Sequence, residues 1–110
     1  MRVPNAENAV VDLRKLTHYL LDPDHKDGRN KARLFRAALD LTAKNAEVLR
    51  DALLEAVKYE EAKYGRFDRY GQRYTVDFSF NWQGKYAIIR SGWLVEHDSA
   101  APRLTTAYPK

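Results

Sequence analysis

The chain has 110 residues, of which 45% are hydrophobic and 31% charged, and this size and composition predict one globular domain spanning residues 1–110. The absence of cysteine excludes disulfides, thiolate chemistry and cysteine-based metal sites. The net charge of +4 favours an anionic partner such as RNA, DNA, a nucleotide or an acidic protein, although many equally basic domains have none. No apolar run reaches the length of a signal peptide or membrane span, so we expect a cytoplasmic location and no membrane contact.

The first third of the chain predicts a short helix. Ala9–Val11 is a candidate short strand, and Asp12 after it fits the N-cap of a helix. An apolar stripe then follows at helical spacing, formed by Leu13, Leu16 and Leu20. The helix is expected to stop at Asp22, because proline at position 23 disfavours helical backbone in the residue before it.

Two further helices are predicted before residue 63. Asn30 is a good N-cap for the second, whose apolar face comprises Leu34, Phe35, Ala38 and Leu39. Thr42 is the expected cap of a third and longer helix. Its apolar positions are Ala46, Leu49, Leu53, Ala56 and Val57.

The hydrophobic period then changes from 3.6 to 2, which is typical of strands. Gly65 and Gly71 bracket a segment that we expect to be irregular. Alternation from Tyr74 to Trp82, a Gln83-Gly84 turn and β-formers over 86–95 and 103–108 predict the strands. Helices first and strands last indicate an α+β fold, with about three N-terminal helices packed on one face of a small antiparallel sheet of three to four strands.

The hairpin around the Gln83-Gly84 turn has one favoured register. It pairs Phe80 with Ala87, Phe78 with Ile89, Val76 with Ser91 and Tyr74 with Trp93 on a mostly apolar face. A slip of one residue would mix apolar and polar side chains on both faces. The same register sets Asp77 opposite Arg90, which predicts a cross-strand ion pair.

The start of the second helix carries unexpected charge, because "HKDGRNKARLF" places cations where the helix dipole prefers acids. On a helical wheel Lys31 falls within the apolar arc, whereas Arg33 and Arg36 face water. With the free backbone N–H groups of a helix N-terminus, Lys31 makes a candidate phosphate site. The alternative is that Lys31 snorkels out at a frayed helix end.

The segment 63–74 alternates cations with aromatic residues, as surfaces that hold single-stranded nucleic acid do. Tyr70 and Arg73 are therefore candidates for stacking on bases and for contacting phosphate. The alternative is that the aromatic side chains pack in strands and the arginines simply keep a loop soluble.

Other chemistries have little support in the sequence. It lacks the motifs of zinc proteases, EF-hands, P-loops, dinucleotide-binding folds and serine hydrolases. His25 with Asp22, Asp24 and Asp27 is a conceivable metal site, but a loop rich in aspartate and glycine is more typical of a turn. We therefore predict no metal and no cofactor.

Several stretches together resemble a bacterial family of small domains of unknown function, found as stand-alone proteins and as C-terminal domains of larger toxin-like or phage-like proteins. The stretches are "VPNAENAVVDLRKLTHYLLDPDH", "GRNKARLF", "LTAKNAEVLRDALLEAV", "YGQRYTVDF", "IRSGWLVE" and "PRLTTAYP". The layout is similar to that of the barnase–EndoU–RelE class of metal-independent ribonuclease toxins, which implies RNA as substrate.

The leading hypothesis is therefore a toxin-like domain that binds RNA and is a candidate to cleave it without a metal, and this hypothesis gives roles to individual residues. Lys31 and Arg90 would stabilise the charge on a reacting phosphate, Arg103 would hold phosphate, and Thr105 and Tyr108 would orient it or donate to it. The family usually has histidine where this chain has Asn30, and histidine serves as a general acid or base near neutral pH. Asparagine cannot exchange a proton in this way. His25, in the loop before, is a candidate to replace that function.

Two other functions remain open from the sequence. A non-enzymatic module could recognise a small acidic antitoxin or immunity protein, or bind nucleic acid without cutting it, and Asn30 favours such a module. A homodimer is the third option, because a small sheet exposes edge strands that pair with other chains.

Overall fold

The computed structural model describes residues 1–98 and 100–110. The helical half contains a 3-10 turn at Ala6–Asn8, helix α1 at Leu13–Lys15 that continues as a π-helical segment at Leu16–Leu20, α2 at Arg29–Leu39, and α3 at Ala46–Tyr59 after a 3-10 turn at Ala43–Asn45. The strands are β1 at Ala62–Asp68, β2 at Gly71–Trp82, β3 at Lys85–Val95 and β4 at Arg103–Pro109. The predicted α+β fold is confirmed, with three helices before a four-stranded antiparallel sheet.

The strands form a meander in the order β1-β2-β3-β4. The predicted register between β2 and β3 is confirmed at all four apolar pairs, from Phe80 opposite Ala87 to Tyr74 opposite Trp93. The segment between Gly65 and Gly71, expected to be irregular, instead contains the second half of strand β1 followed by a two-residue turn, and β1 has a bulge between Tyr64 and Phe67. Gly65 lies in this bulge, and its carbonyl accepts a hydrogen bond from the Gln72 side chain at 3.0 Å.

The core lies between the helices and one face of the sheet. Trp93 is fully buried there, and its indole N–H donates to the Ser91 hydroxyl at 2.9 Å. Ser91 in turn donates to the Val76 carbonyl at 2.8 Å, so this buried serine is satisfied. Trp93 is therefore a core residue, as its place in the predicted register indicates.

The first helix begins as predicted and then widens. The Asp12 carboxylate accepts from the Arg14 backbone N–H at 3.0 Å, which confirms the N-cap. The helix ends at Leu20, before Pro23. The predicted strand at Ala9–Val11 was wrong in extent, because Val10 makes only one isolated parallel bridge, to Arg103 of β4.

The predicted cap of α2 was wrong. The helix begins at Arg29 with Gly28 at the N-cap, so Asn30 is inside the first turn and exposed. The acceptor at this end is His25, whose Nδ1 receives the backbone N–H groups of Asp27 and Gly28, both at 3.0 Å. Glycine is required at position 28 because a Cβ there would lie 2.0 Å from the Tyr19 carbonyl oxygen.

The apolar face of α2 was also predicted one residue too wide. Phe35 and Leu39 are fully buried, but Leu34 is 47% exposed. The buried stripe of α2 instead begins at Ala32, one turn before Phe35. Leu34 therefore contributes to the outer surface of the helix.

The third helix starts through a reciprocal cap. The Asn45 side chain accepts from the Thr42 backbone N–H at 3.1 Å, and the Asn45 backbone N–H donates to the Thr42 carbonyl at 2.8 Å. Thr42 therefore begins the 3-10 turn that leads into α3, close to the predicted cap.

Candidate nucleic-acid interface

The sheet has a second face, turned away from the helices. Because side chains alternate along a strand, residues at even positions of β3 and odd positions of β2 point to this face. Buried side chains of the sheet belong almost entirely to the helix-facing side, and Leu94 is the main exception. We call this second surface the open face, and three rows of its side chains extend across β2, β3 and β4.

The first row joins Asp77, Arg90 and Tyr108 on neighbouring strands. The Arg90 guanidinium donates two hydrogen bonds of 2.9 Å to the Asp77 carboxylate, which confirms the predicted ion pair. Lys110 also reaches this carboxylate, at 3.3 Å. The hydrogen bonds from Arg90 and Lys110 lower the pKa of Asp77. The pKa of Arg90 is raised, mainly by its hydrogen bonds to Asp77 and to a smaller extent by a hydrogen bond to Tyr108.

Lys31 lies at the end of this row. Its Nζ is 5.9 Å from the centre of the Tyr108 ring, and its side chain is half-buried. As the helical wheel predicts, Lys31 lies on the side of α2 that faces the sheet, whereas Arg33 lies on the opposite side. Lys31, Arg90 and Tyr108 therefore form one cluster at the edge of the open face.

The middle row consists of small residues, Thr75, Gly92 and Thr106. A bulge between β3 and β4 turns Thr105 toward the same side, so that a Cβ on Gly92 would lie 3.0 Å from the Thr105 hydroxyl oxygen and 3.2 Å from the Thr106 methyl carbon. The Thr106 hydroxyl is buried and has no hydrogen-bond partner within the described chain. This row forms a low trough with hydroxyl groups in its floor.

The third row joins Arg73, Leu94 and Arg103. Leu94 is only 5% exposed although it lies on the open face, which fits the arginine stems on either side of it. Arg73 contacts the Asp68 carboxylate at 3.0 Å, and Arg103 contacts Glu96 at 2.5 Å. Hydrogen bonds from Arg66 and Arg73 hold the pKa of Asp68 well below its usual range.

The two arginine rows stand four residues apart along β3, a distance of about 13 Å. The cations at this face are Lys31, Lys63, Arg66, Arg73, Arg90, Arg103 and Lys110, and the carboxylates among them are Asp68, Asp77 and Glu96. The surplus of four positive charges equals the net charge of the whole chain. Such a surface fits a phosphate chain laid across the trough.

Other predicted site residues lie outside the rows. Asn30 is exposed beside Lys31, and the His25 ring contacts Tyr19 edge-on at 4.9 Å while its Nδ1 holds the start of α2. Tyr70 occupies the turn between β1 and β2, where the Arg69 guanidinium lies 4.8 Å from its ring centre. Within residues 1–98 and 100–110, none of these three makes a hydrogen bond or ring contact with Arg90 or Tyr108.

The described residues contain no group of three or more histidine, aspartate or glutamate side chains arranged to hold a metal ion. The conceivable site of His25 with nearby aspartates is therefore not formed. In that same part of the chain, no helix combines the length and the apolar character needed to cross a bilayer.

The sequence did not reveal the role of Gly92 and Thr106 at the centre of the open face. The signal that could have found them is the pairing of "RSGW" with "RLTTAY", but their alignment depends on a bulge that sequence alone does not place.

A family model described as Domain of unknown function (DUF6883) matches residues 2–110. The chain belongs to the DUF6883 family. One chain of a solved structure described as "Contact-dependent growth inhibition toxin - immunity protein complex from Klebsiella pneumoniae 342" is similar in fold, with a TM-score of 0.72 and 22% identity over 92% of this chain and 99% of that chain. No curated protein matches the sequence.

Proposed function

We propose that this DUF6883 domain is a toxin-like domain that binds RNA on its open face. The observation that carries the proposal is the cluster of Lys31, Arg90 and Tyr108 beside a trough of threonines and glycine. Fold similarity to a chain from a complex of a growth inhibition toxin with its immunity protein supports the toxin-like part. The surplus of positive charge on this face supports an anionic ligand.

The rows suit a single strand better than a rigid double helix. Phosphates can contact Arg90 and Lys31 at one row and Arg73 and Arg103 at the other, with the strand between them over the trough. Asp77 and Glu96 already pair with Arg90 and Arg103, so each arginine is held in place before RNA arrives. Ribose hydroxyls would meet Thr105 and Thr106, and this contact favours RNA over DNA.

This cluster also fits part of the chemistry of RNA cleavage without a metal. In that reaction the ribose 2′-oxygen bonds to phosphorus, the bond to the 5′-oxygen breaks, one proton leaves the 2′-hydroxyl and another reaches the 5′-oxygen. Lys31 and Arg90 would stabilise the negative charge on phosphorus, and the Tyr108 hydroxyl would supply a proton. A proton acceptor is the missing part, because Asp77 is engaged by two cations and His25 Nδ1 by two backbone N–H groups.

Asn30 is the position where this acceptor would fit, next to Lys31 in the first turn of α2. We therefore propose that the chain with asparagine binds RNA firmly and cuts it slowly. Replacement by histidine supplies a group that accepts a proton near pH 7, and such groups typically contribute roughly 10²- to 10⁴-fold in rate.

The test is cleavage of a labelled single-stranded RNA in EDTA by wild type, Asn30→His and Asn30→His with Lys31→Ala. We expect Asn30→His to cut at least tenfold faster than wild type, and Lys31→Ala to remove that gain. The Asn30→Ala variant is the matched control and should equal wild type. Equal rates for all four proteins would overturn cleavage at this site, and failure of wild type to bind RNA would overturn the whole proposal.

A second candidate function is a binding module that recognises an acidic protein of the immunity type without any cleavage. It is favoured by Asn30 and by a group of cations on the far side of α2, where no described carboxylate pairs with them.

A further inference from the structure

A second surface lies on the side of α2 away from Lys31. Arg33 follows Lys31 by two residues, about 200° around the helix, so the two cations face opposite directions. Beside Arg33 is a cleft of about 250 Å³, between α2, the loop after the π-helical segment and the loop before α3. The cleft is separate from the three rows of the open face.

The floor of the cleft is apolar. It includes Leu21, Ala32 and Leu41, which are all almost fully buried, and Thr42 is the one uncharged polar residue among the described residues of the lining. A floor of this kind takes an aliphatic or aromatic side chain. Leu21 and Leu41 are also held in the core, so the floor is rigid before any partner binds.

The rim of the cleft is cationic. Arg33, Arg36 and Lys44 line it, and none of the three has an ion-pair partner among the described residues. This distinguishes them from Arg73, Arg90 and Arg103, which all contact carboxylates. Asp40 is exposed beside Leu41 but does not line the cleft.

We infer that this cleft binds an acidic partner protein, which inserts one apolar side chain onto the floor and sets carboxylates against Arg33, Arg36 and Lys44. Charge complementarity argues for this occupant, because three unpaired cations around an apolar floor leave carboxylates to be supplied from outside. RNA fits less well, since the buried aliphatic floor lacks an aromatic side chain for base stacking. The inference rests on the second candidate function, and it lets partner and RNA occupy different surfaces.

The probe is a phage-displayed library of random 12-residue peptides, selected on wild type and counter-selected on Arg33→Glu/Arg36→Glu. We expect the enriched peptides to combine an aliphatic or aromatic residue with two or more acidic residues. A synthetic peptide from the selection should bind the double variant at least tenfold more weakly. The Arg90→Gln variant should bind this peptide with the same affinity as wild type, because Arg90 lies on the open face.

A second variant tests the cleft without changing its charge. Ala43→Leu fills the cleft at a half-buried position of its lining, and we expect it to weaken the peptide as well. Circular dichroism confirms that each variant is folded. Enrichment of peptides without acidic residues, absence of any enrichment, or equal affinity for the charge-reversed variant would overturn the inference.

RNA binding separates this inference from the proposed function. We expect Arg33→Gln to lose far less RNA affinity than Arg90→Gln, since each of these variants removes one positive charge. If the two variants lose RNA affinity equally, the cleft is part of the RNA surface and the acidic-partner inference fails. If wild type binds no RNA but binds acidic peptides through the cleft, the proposed RNA function fails and the inference stands.

Discussion

At the scale of single residues, Gly92 determines the shape of the open face. Two threonines lie close to the point where its Cβ would be, and both are β-branched, with stiff side chains. The trough between the arginine rows exists because this position has no Cβ.

We expect Gly92→Ala to lower the free energy of unfolding by about 1–2 kcal/mol, because the added methyl group crowds Thr105 and Thr106. Urea titration measures the change. Thr105→Ala alone should have little effect, and the double variant should recover part of the loss. If Gly92→Ala is as stable as wild type, the two threonines do not fill this space.

The ion pair of Asp77 with Arg90 makes stability depend on pH. A carboxyl with a lowered pKa in the folded state stabilises the fold above its unfolded pKa of about 4, and this contribution is lost as the pH falls through the lowered folded value. We expect Asp77→Asn to cost about 1 kcal/mol at pH 7, where the charge-assisted hydrogen bonds are present.

The difference between Asp77→Asn and wild type should shrink between pH 4 and pH 2, when urea unfolding is measured across that range. Glu55→Gln is the control, since Glu55 is exposed and has no ion pair within the described chain. A difference that grows in acid would contradict the assigned role of the pair.

At the scale of elements, the start of α2 holds the site together. This helix carries Lys31 to the sheet, and its first turn depends on the His25 ring and on the close packing of Gly28 against Tyr19. The cationic helix start that is unexpected from the sequence has a capping histidine in place of an acidic cap.

We expect His25→Ala to destabilise the protein by about 1 kcal/mol, because two backbone N–H groups lose their acceptor. Hydrogen exchange of the first-turn amides of α2 should accelerate in the same variant. Asn30→Ala, at an exposed position of the same turn, should change stability by less than about 0.5 kcal/mol. If Asn30→Ala destabilises the protein more than His25→Ala does, Asn30 and not His25 caps the helix.

The success of the sequence predictions differed between elements for physical reasons. The β2–β3 register followed from alternation alone, because one slip would place Trp93 and Ile89 on the wrong face. The start of α2 could not be predicted from the sequence pattern, since its cap is a histidine whose acceptor role depends on the loop conformation. Strand β1 was missed because its side chains are mostly exposed, which removes the apolar alternation that marks a strand.

The candidate site was partly accessible from sequence. The sequence points to Lys31, Arg90, Thr105 and Tyr108, and the fold brings them to one face. The trough and the pairing of Arg73 with Arg103 across Leu94 depend on two bulges and a third strand pairing. Long-range pairings of this kind leave no local periodic signal.

At the scale of the whole molecule, positive charge is divided between two surfaces. The open face carries arginines that are mostly held by carboxylates, and the cleft beside α2 carries cations without them. This division predicts that RNA and an acidic partner bind at different places. It also predicts that RNA affinity falls with added salt, with a slope set by the few phosphates contacted.

The most direct measurement is fluorescence anisotropy of a labelled single-stranded RNA titrated with wild type, Arg90→Gln and Arg33→Gln at two salt concentrations. The RNA keeps its 2′-hydroxyls, which we expect to contact Thr105 and Thr106, and gel electrophoresis after each titration checks that it is intact. Arg33→Gln removes the same charge from the opposite side of α2, so it is the matched control. We predict that Arg90→Gln weakens binding at least tenfold with a shallower salt dependence, while Arg33→Gln stays within twofold of wild type. Equal losses in both variants, or no binding by wild type, would contradict an RNA site on the open face.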